Sequence, residues 1–202
     1  MNFLFKCFVF MFTLYNTLLI SSEEQNPPVQ KNKYNALMII AENNFRDEEL
    51  LIPKKILEEN NIKVIISSTT IQTVTGMLKA KIKPDILLND VNASDYDAII
   101  FVGGIGAKSY FDNETAHKIA KKAYKENKIL AAICIAPNIL ANAGLLKGKK
   151  ATCFDKDILI ENGAIYQNKA VVKDGNIITA NGPKAAYEFA NFILKAILDK
   201  KK

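Results

Sequence analysis

Residues 129–137, ILAAICIAP, join a continuous apolar run to a cysteine, Cys134, and a proline, Pro137. The run is short and has no polar alternation, which is typical of a strand buried on both faces of a parallel sheet. Pro137 suits the first turn of a helix, where its missing N–H removes no hydrogen bond. The segment therefore predicts a buried strand that passes directly into a helix, with Cys134 at the turn between them.

The same alternation of apolar and amphipathic stretches extends outward from this segment in both directions. Short apolar runs predict strands at 36–41, 63–68, 98–102, 129–133, 170–172 and 177–179. Amphipathic stretches predict helices at 47–60, 114–126, 137–146 and 184–199. Alternation of this kind is typical of βαβ units. The sequence thus predicts one α/β domain with a doubly wound, mostly parallel sheet and helices on both faces.

The first 35 residues differ in character from the rest of the chain. Lys6 precedes an apolar run that ends at Ile20, and residues 1–22 have the shape of a signal peptide. Residues 23–35 are polar and predict a solvated linker, which places the folded domain at 36–199. A cleaved signal implies export. The alternatives are an uncleaved anchor that contacts a membrane through residues 1–20, and a cytoplasmic protein whose leader-like segment has no function.

Composition excludes several classes of function. The net charge is +6 and the pI about 9.1, but the lysines are scattered and do not alternate with aromatic residues, so we expect no nucleic-acid partner. Cys7, Cys134, Cys153 and the single histidine, His117, offer no metal-ligand spacing. The glycines after the strand at 98–102 do not form GxGxxG. We therefore expect neither a metal nor another cofactor.

Cys134 and two glycines are the candidates for nucleophilic chemistry. A cysteine at a helix N-terminus is exposed to positive partial charge, which is expected to lower the pKa of its thiol. Gly103 and Gly104 end a buried strand, so the N–H of Gly104 can join that of Ile135 in an oxyanion hole. On position alone, the alternative is a small buried cysteine beside an ordinary glycine turn.

Glu49 is the candidate partner of the thiol. Asp47 is expected to cap the helix that begins there, and Glu48 to complement its dipole. Pro53 removes the hydrogen bond to the Glu49 carbonyl, which predicts an irregular helix at that point. A carboxylate beside a thiolate is unfavourable, so we expect a protonated Glu49 that donates a hydrogen bond to the sulfur.

The remaining candidates receive lesser roles. His117 lies within a predicted helix and is interpreted as a surface residue. Cys153 lies in a predicted strand and is interpreted as a buried cysteine, with a resolving role toward Cys134 as the alternative.

On these residues the chain resembles the ThiJ/PfpI superfamily, in its Parkinsonism-associated protein deglycase and YajL-like branch. The resemblance covers about residues 36–199 and rests on ALMIIA at 36–41, ELLIP at 49–53, VGG at 102–104, AAICIAP at 131–137, and NGP and YEFA at 181–183 and 187–190. It implies a flavodoxin-like fold, like that of class I glutamine amidotransferases, and a homodimer. It also implies Cys134 as the reactive thiol, Glu49 as its hydrogen-bond partner, and Gly104 and Ile135 as amide donors, with Gly103 and Pro137 in support.

The resemblance implies stress-protective action on reactive carbonyls, of the glyoxalase or deglycase type, with an oxidation-sensitive thiol. A redox sensor or chaperone without enzymatic activity is the alternative. Protease-like members carry a histidine directly after the cysteine, where this chain has Ile135, so peptidase chemistry is disfavoured. Amidotransfer is disfavoured because His117 cannot complete a Cys-His-Glu set. The deglycase branch often has a histidine at the position of Phe154.

Overall fold

A computed structural model describes residues 33–200 of the chain. Its strands are β1 Tyr34–Ile39, β2 Ile62–Ser68, β3 Val74–Thr75, β4 Lys81–Ile82, β5 Ile86–Leu87, β6 Ala98–Phe101, β7 Ile129–Ile133, β8 Lys150–Ala151, β9 Ile165–Tyr166, β10 Val171–Asp174 and β11 Ile177–Ala180. Its α-helices are α1 Asp47–Glu59, α2 Glu114–Lys125, α3 Pro137–Asn142, α4 Asp157–Glu161 and α5 Ala186–Asp199. Short 3-10 helices occupy Leu88–Asp90, Ala93–Asp95, Ile105–Tyr110 and Pro183–Ala185.

The central sheet has seven strands in the order β10-β11-β7-β6-β1-β2-β5. Every neighbouring pair is parallel except β10 and β11, which form an antiparallel hairpin at one edge. β1, β6 and β7 lie side by side in the middle, so the loops that follow them leave the same edge of the sheet. This arrangement confirms the predicted doubly wound, flavodoxin-like α/β fold.

Alternate residues of β1 point to two separate hydrophobic cores. Ala36 and Met38 pack on the face that is covered by α1 and α5. Leu37 and Ile39 pack on the opposite face, which α2 and α3 cover. Because both faces of the strand are buried, an uninterrupted apolar run is what its position requires.

The structure differs from the sequence prediction at several boundaries. Residues 34 and 35, assigned to the linker, belong to β1, because they pair with Ile62 and Lys63 of β2. α3 ends at Asn142 and not at residue 146, because Gly144 adopts a left-handed conformation with φ of 78° that terminates the helix. α1 continues across Pro53 without a break. The predicted leader, 1–22, and residues 23–32 of the linker lie outside the described residues.

None of the helices within residues 33–200 has the length and apolar character needed to cross a membrane.

Asp47 does not cap α1, contrary to the sequence prediction. The cap position is Arg46, and the buried Asp47 carboxylate instead accepts hydrogen bonds from the backbone N–H groups of Leu78 and Ala80, each at 2.7 Å. These amides belong to the hairpin of β3 and β4, which the sequence pattern did not predict. Asp47 therefore fastens this hairpin to the start of α1.

Asp47→Asn is expected to destabilise the protein by about 2 kcal/mol, because an amide can accept only one of the two hydrogen bonds and turns its NH2 group toward a second donor. Denaturant unfolding followed by circular dichroism measures the change. The exposed Asp90→Asn is the matched control and is expected to stay within about 0.5 kcal/mol of wild type. Equal stability of the two variants would contradict this role for Asp47.

Candidate active site

Cys134 occupies a strained turn between β7 and α3. Its φ is +65°, in the left-handed region that a side chain rarely adopts. Two hydrogen bonds fix its backbone: its N–H donates to the carbonyl of Ala180 at 2.9 Å, and its carbonyl accepts from the N–H of Phe154 at 2.8 Å. The turn matches the geometry of a nucleophile elbow, which presents its side chain beyond the sheet edge. Pro137 begins α3 as predicted.

Glu49 lies in the first turn of α1 and is fully buried. Gly103, two residues after the end of β6, separates it from Cys134. A Cβ atom placed on Gly103 would lie 2.5 Å from Glu49 Oε2 and 2.5 Å from Cys134 Cβ. Only a residue without a side chain fits this position. The structure thus brings Glu49, Gly103 and Cys134 together from the segments that follow β1, β6 and β7.

Burial raises the pKa of Glu49 to about 7, the largest effect being loss of hydration. The Cys134 thiol and the Gly103 N–H are close enough to lower this pKa, as is the positive charge of Arg46, but they offset the burial only in part. Neither carboxylate oxygen has a hydrogen-bond partner of good geometry, so the expected hydrogen bond from Glu49 to the Cys134 sulfur stays a prediction. Glu49 therefore exchanges a proton near neutral pH.

Burial and the charge of Glu49 raise the pKa of Cys134 to about 11. The sequence-based expectation that the pKa of the Cys134 thiol is lowered is therefore wrong when Glu49 is ionised. α3 has only six residues and provides little helix dipole, whereas desolvation and a nearby carboxylate both oppose a second negative charge. Because the two groups repel each other when both are ionised, they titrate as one coupled pair.

Two backbone N–H groups counteract this effect at the sulfur. The amides of Gly104 and Ile135 both lower the pKa of Cys134, which places them beside the atom that carries charge. Gly104 has φ of 93°, and a Cβ there would lie 2.4 Å from the backbone nitrogen of Arg46. Glycine is required here so that the loop after β6 can approach both the thiol and α1. The predicted amide donors therefore lie beside the Cys134 sulfur, and their role as an oxyanion hole stays a prediction.

His117 and Cys153 are not part of this arrangement. The half-buried His117 ring is hydrogen-bonded to the carbonyl of Phe111 at 2.7 Å, and it does not line the cavity around Cys134. The Cys153 thiol is buried and donates to the carbonyl of Asp155 at 2.7 Å. Desolvation raises the pKa of Cys153 to about 12. Within residues 33–200, no group of three His, Cys, Asp or Glu side chains is placed to hold a metal ion.

A cavity of about 600 Å³ opens over Cys134, and sequence reasoning missed most of its walls. Arg46, Met77, Ile105 and Tyr166 contribute to it, together with Phe154. One signal was available: Arg46 is the only arginine in a sequence with 27 basic residues. Its guanidinium makes a two-pronged ion pair with Glu48, with Nε to Oε2 at 2.8 Å. Met77 comes from the β3–β4 hairpin, for which the sequence pattern gave no indication.

Comparison with known proteins identifies one uncharacterized relative and two relatives whose names state an activity. An uncharacterized protein of Methanocaldococcus jannaschii is 44% identical over an alignment of 189 positions that covers 91% of this chain and 92% of that protein. The protein named deglycase PfpI of Pyrococcus furiosus is 36% identical over 118 residues, 58% of this chain and 71% of that protein. A glutathione-independent glyoxalase of Caenorhabditis elegans is 27% identical over 164 residues, 80% of this chain and 88% of that protein.

Solved structures and a family model agree with these relatives. The crystal structure of a ThiJ/PfpI domain protein from Brachyspira murdochii superimposes with a TM-score of 0.80 at 36% identity, covering 82% of this chain and 96% of that one. The model of the DJ-1/PfpI family matches residues 34–196. The chain therefore belongs to the DJ-1/PfpI family.

Proposed function

We propose that the protein is a cysteine-dependent enzyme that detoxifies reactive 2-oxoaldehydes and their early adducts, in the manner of a glyoxalase or deglycase. The observation that carries the proposal is the placement of Cys134 and Glu49 on either side of Gly103, with the amides of Gly104 and Ile135 at the sulfur. The relatives named deglycase and glyoxalase support the same reaction class.

Methylglyoxal illustrates how the two residues would share the reaction. The Cys134 sulfur bonds to the aldehyde carbon, and the carbonyl oxygen takes up a proton, which gives a hemithioacetal. Glu49 as a carboxylate then removes the remaining proton from that carbon and returns it to the neighbouring ketone carbon, while the hydroxyl proton of the hemithioacetal passes to the ketone oxygen. The aldehyde carbon is thereby oxidised to a thioester and the ketone is reduced to an alcohol. Water cleaves the carbon–sulfur bond and releases lactate and the free thiol.

The acid–base partner favours an enzyme over a sensor. Attack on a carbonyl and oxidation of a sensor thiol both require thiolate character, so the raised pKa of Cys134 does not distinguish the two functions. A reaction that moves protons, by contrast, uses a carboxyl group whose pKa lies at about 7. Peptidase chemistry has no support from the site, because Ile135 follows the cysteine and His117 is bonded elsewhere.

The test is glutathione-free conversion of methylglyoxal to lactate by the full chain and by Cys134→Ala, with Cys153→Ala as the matched cysteine control. We expect turnover by wild type and by Cys153→Ala, and none above the buffer rate by Cys134→Ala. If wild type consumes methylglyoxal no faster than Cys134→Ala, the proposed function is wrong.

A further inference from the structure

Large apolar side chains stand exposed around the reactive thiol. Phe154 is 72% exposed, Ile105 56% and Met77 39%, and all three line the cavity that contains Cys134. Single exposed apolar residues are common on protein surfaces, but a group of them around one cavity is typical of a binding site. Gly104 and Ile135, which supply the two amides, line the same cavity, and the buried Glu49 lies on the other side of Gly103 from Cys134.

Backbone hydrogen bonds and chain connections place these three residues around the thiol. The N–H of Phe154 donates to the carbonyl of Cys134 at 2.8 Å, so the residue that carries the ring is hydrogen-bonded to the backbone of the nucleophilic cysteine. Ile105 follows the amide donor Gly104 in the chain. The N–H of Met77 donates to the carbonyl of Phe45 at 2.9 Å, and Asp47 fastens the same hairpin. The apolar wall is therefore a built part of the site.

Charge does not select the ligand of this cavity. Lys108 and Lys156 line it, but so do Asp155 and Asp157. The remaining cation, Arg46, is neutralised by its ion pair with Glu48. The volume of about 600 Å³ is in the range of cavities that enclose drug-sized ligands, and far larger than the single methyl group of methylglyoxal would fill.

We infer that the carbonyl compounds this site takes best carry an aryl or branched aliphatic group beside the 2-oxoaldehyde, and that Phe154 determines this preference. The substrate assignment rests on the proposed function. The aldehyde carbon is at the sulfur while the apolar group contacts Phe154, Ile105 and Met77. Burial of that group against an aromatic ring supplies the preference.

Initial rates with phenylglyoxal and methylglyoxal test the inference. The preference is the ratio of kcat/KM for phenylglyoxal to kcat/KM for methylglyoxal, divided by the ratio of the two rates in a reference reaction with free thiol and base. In wild type this preference is expected to be about tenfold. Phe154→Ala should reduce this preference about fivefold, because kcat/KM falls more for phenylglyoxal than for methylglyoxal. Phe192→Ala, at a partly exposed phenylalanine of α5 outside the cavity, is the control and should keep the preference.

Alkylation of Cys134 provides a readout that does not need turnover. The sulfur adds to the double bond of a maleimide and the adjacent carbon takes the proton. N-cyclohexylmaleimide and N-ethylmaleimide are compared, with rates divided by those of N-acetylcysteine and followed on the Cys134 peptide by mass spectrometry. We expect the cyclohexyl compound to be favoured at least fivefold in wild type and less in Phe154→Ala.

The outcomes separate the two proposals. Turnover of methylglyoxal without an aryl preference overturns the inference and leaves the proposed function intact. Failure to turn over either dicarbonyl overturns the proposed function and with it the substrate assignment, and the maleimide ratio then decides whether the wall binds the apolar part of an electrophile. If the normalised rate ratio of N-cyclohexylmaleimide to N-ethylmaleimide is the same in wild type and Phe154→Ala, the role of Phe154 is overturned.

Discussion

Glu49→Gln is expected to lower kcat/KM for methylglyoxal by at least about a hundredfold, because the amide cannot take up or return the proton that the reaction moves. The change preserves the size and burial of the side chain, so the cavity around Cys134 should keep its shape. Steady-state kinetics at pH 8 measures the effect. Glu48→Gln, one residue away and paired with Arg46 at the surface of the site, is the control and should retain activity within about fivefold.

The same Glu49→Gln variant is expected to be more stable than wild type at neutral pH. The folded-state pKa of Glu49 is raised from 4.5 to about 7, so the stability associated with its neutral form is fully present below about pH 4.5 and is lost as pH rises to about 7. The loss amounts to about 3 kcal/mol at most. Glutamine cannot ionise, so the variant does not undergo this loss of stability.

Denaturant unfolding of both proteins between pH 4 and pH 8 checks this sign. The stability difference in favour of Glu49→Gln should be small at pH 4, grow between pH 4.5 and pH 7, and stay constant above. A variant that is active, or one that is less stable than wild type at every pH, would contradict the picture of a buried carboxyl group retained for its chemistry.

Gly103→Ala should abolish measurable turnover and destabilise the protein by about 2 to 3 kcal/mol. The added methyl group would lie 2.5 Å from Cys134 Cβ and from Glu49 Oε2, and 2.6 Å from the backbone oxygen of Ile133. Because one of these contacts is with the backbone of β7, side-chain rotation alone cannot relieve the overlap, and the thiol and the carboxyl group must move apart. A displacement of about 1 Å is enough to cost a hundredfold or more in rate.

Gly175→Ala is the matched control for Gly103→Ala. Gly175 lies in the turn between β10 and β11 with φ of 62°, and a Cβ there would meet nothing within 4 Å. Only its conformational cost of about 1 kcal/mol is expected, without loss of activity. Near-normal turnover by Gly103→Ala would show that the close contact between Cys134 and Glu49 is not needed.

Much of the fold could be predicted because apolar runs report burial directly. The runs at 98–102 and 129–133 became β6 and β7, whose residues are buried on both faces. Parallel strands place their following loops at one edge, and this rule alone predicts that Glu49, Gly103 and Cys134 lie at the same edge of the sheet. Pro137 supplied the position of the turn. These inferences need only local pattern and sheet topology.

The rest depended on tertiary contacts that local pattern does not encode. Strands β3 and β4 have two residues each, too few to show any periodicity, yet their hairpin carries Met77 into the cavity. Asp47 looks like a helix cap in sequence, but its partners are amides more than 30 residues away. The pKa of Cys134 had the wrong predicted sign because burial and the Glu49 charge outweigh a six-residue helix.

The most direct test of the coupled Cys134–Glu49 pair is the pH dependence of Cys134 alkylation by iodoacetamide, followed on the Cys134 peptide by mass spectrometry, in wild type and in Glu49→Gln. Wild type is expected to show two rises in rate, near pH 7 as the pair loses its first proton and near pH 11 as it loses its second. Glu49→Gln should show one rise, below pH 11, because the repelling charge is gone. A single rise at the same pH in both proteins would contradict the coupling.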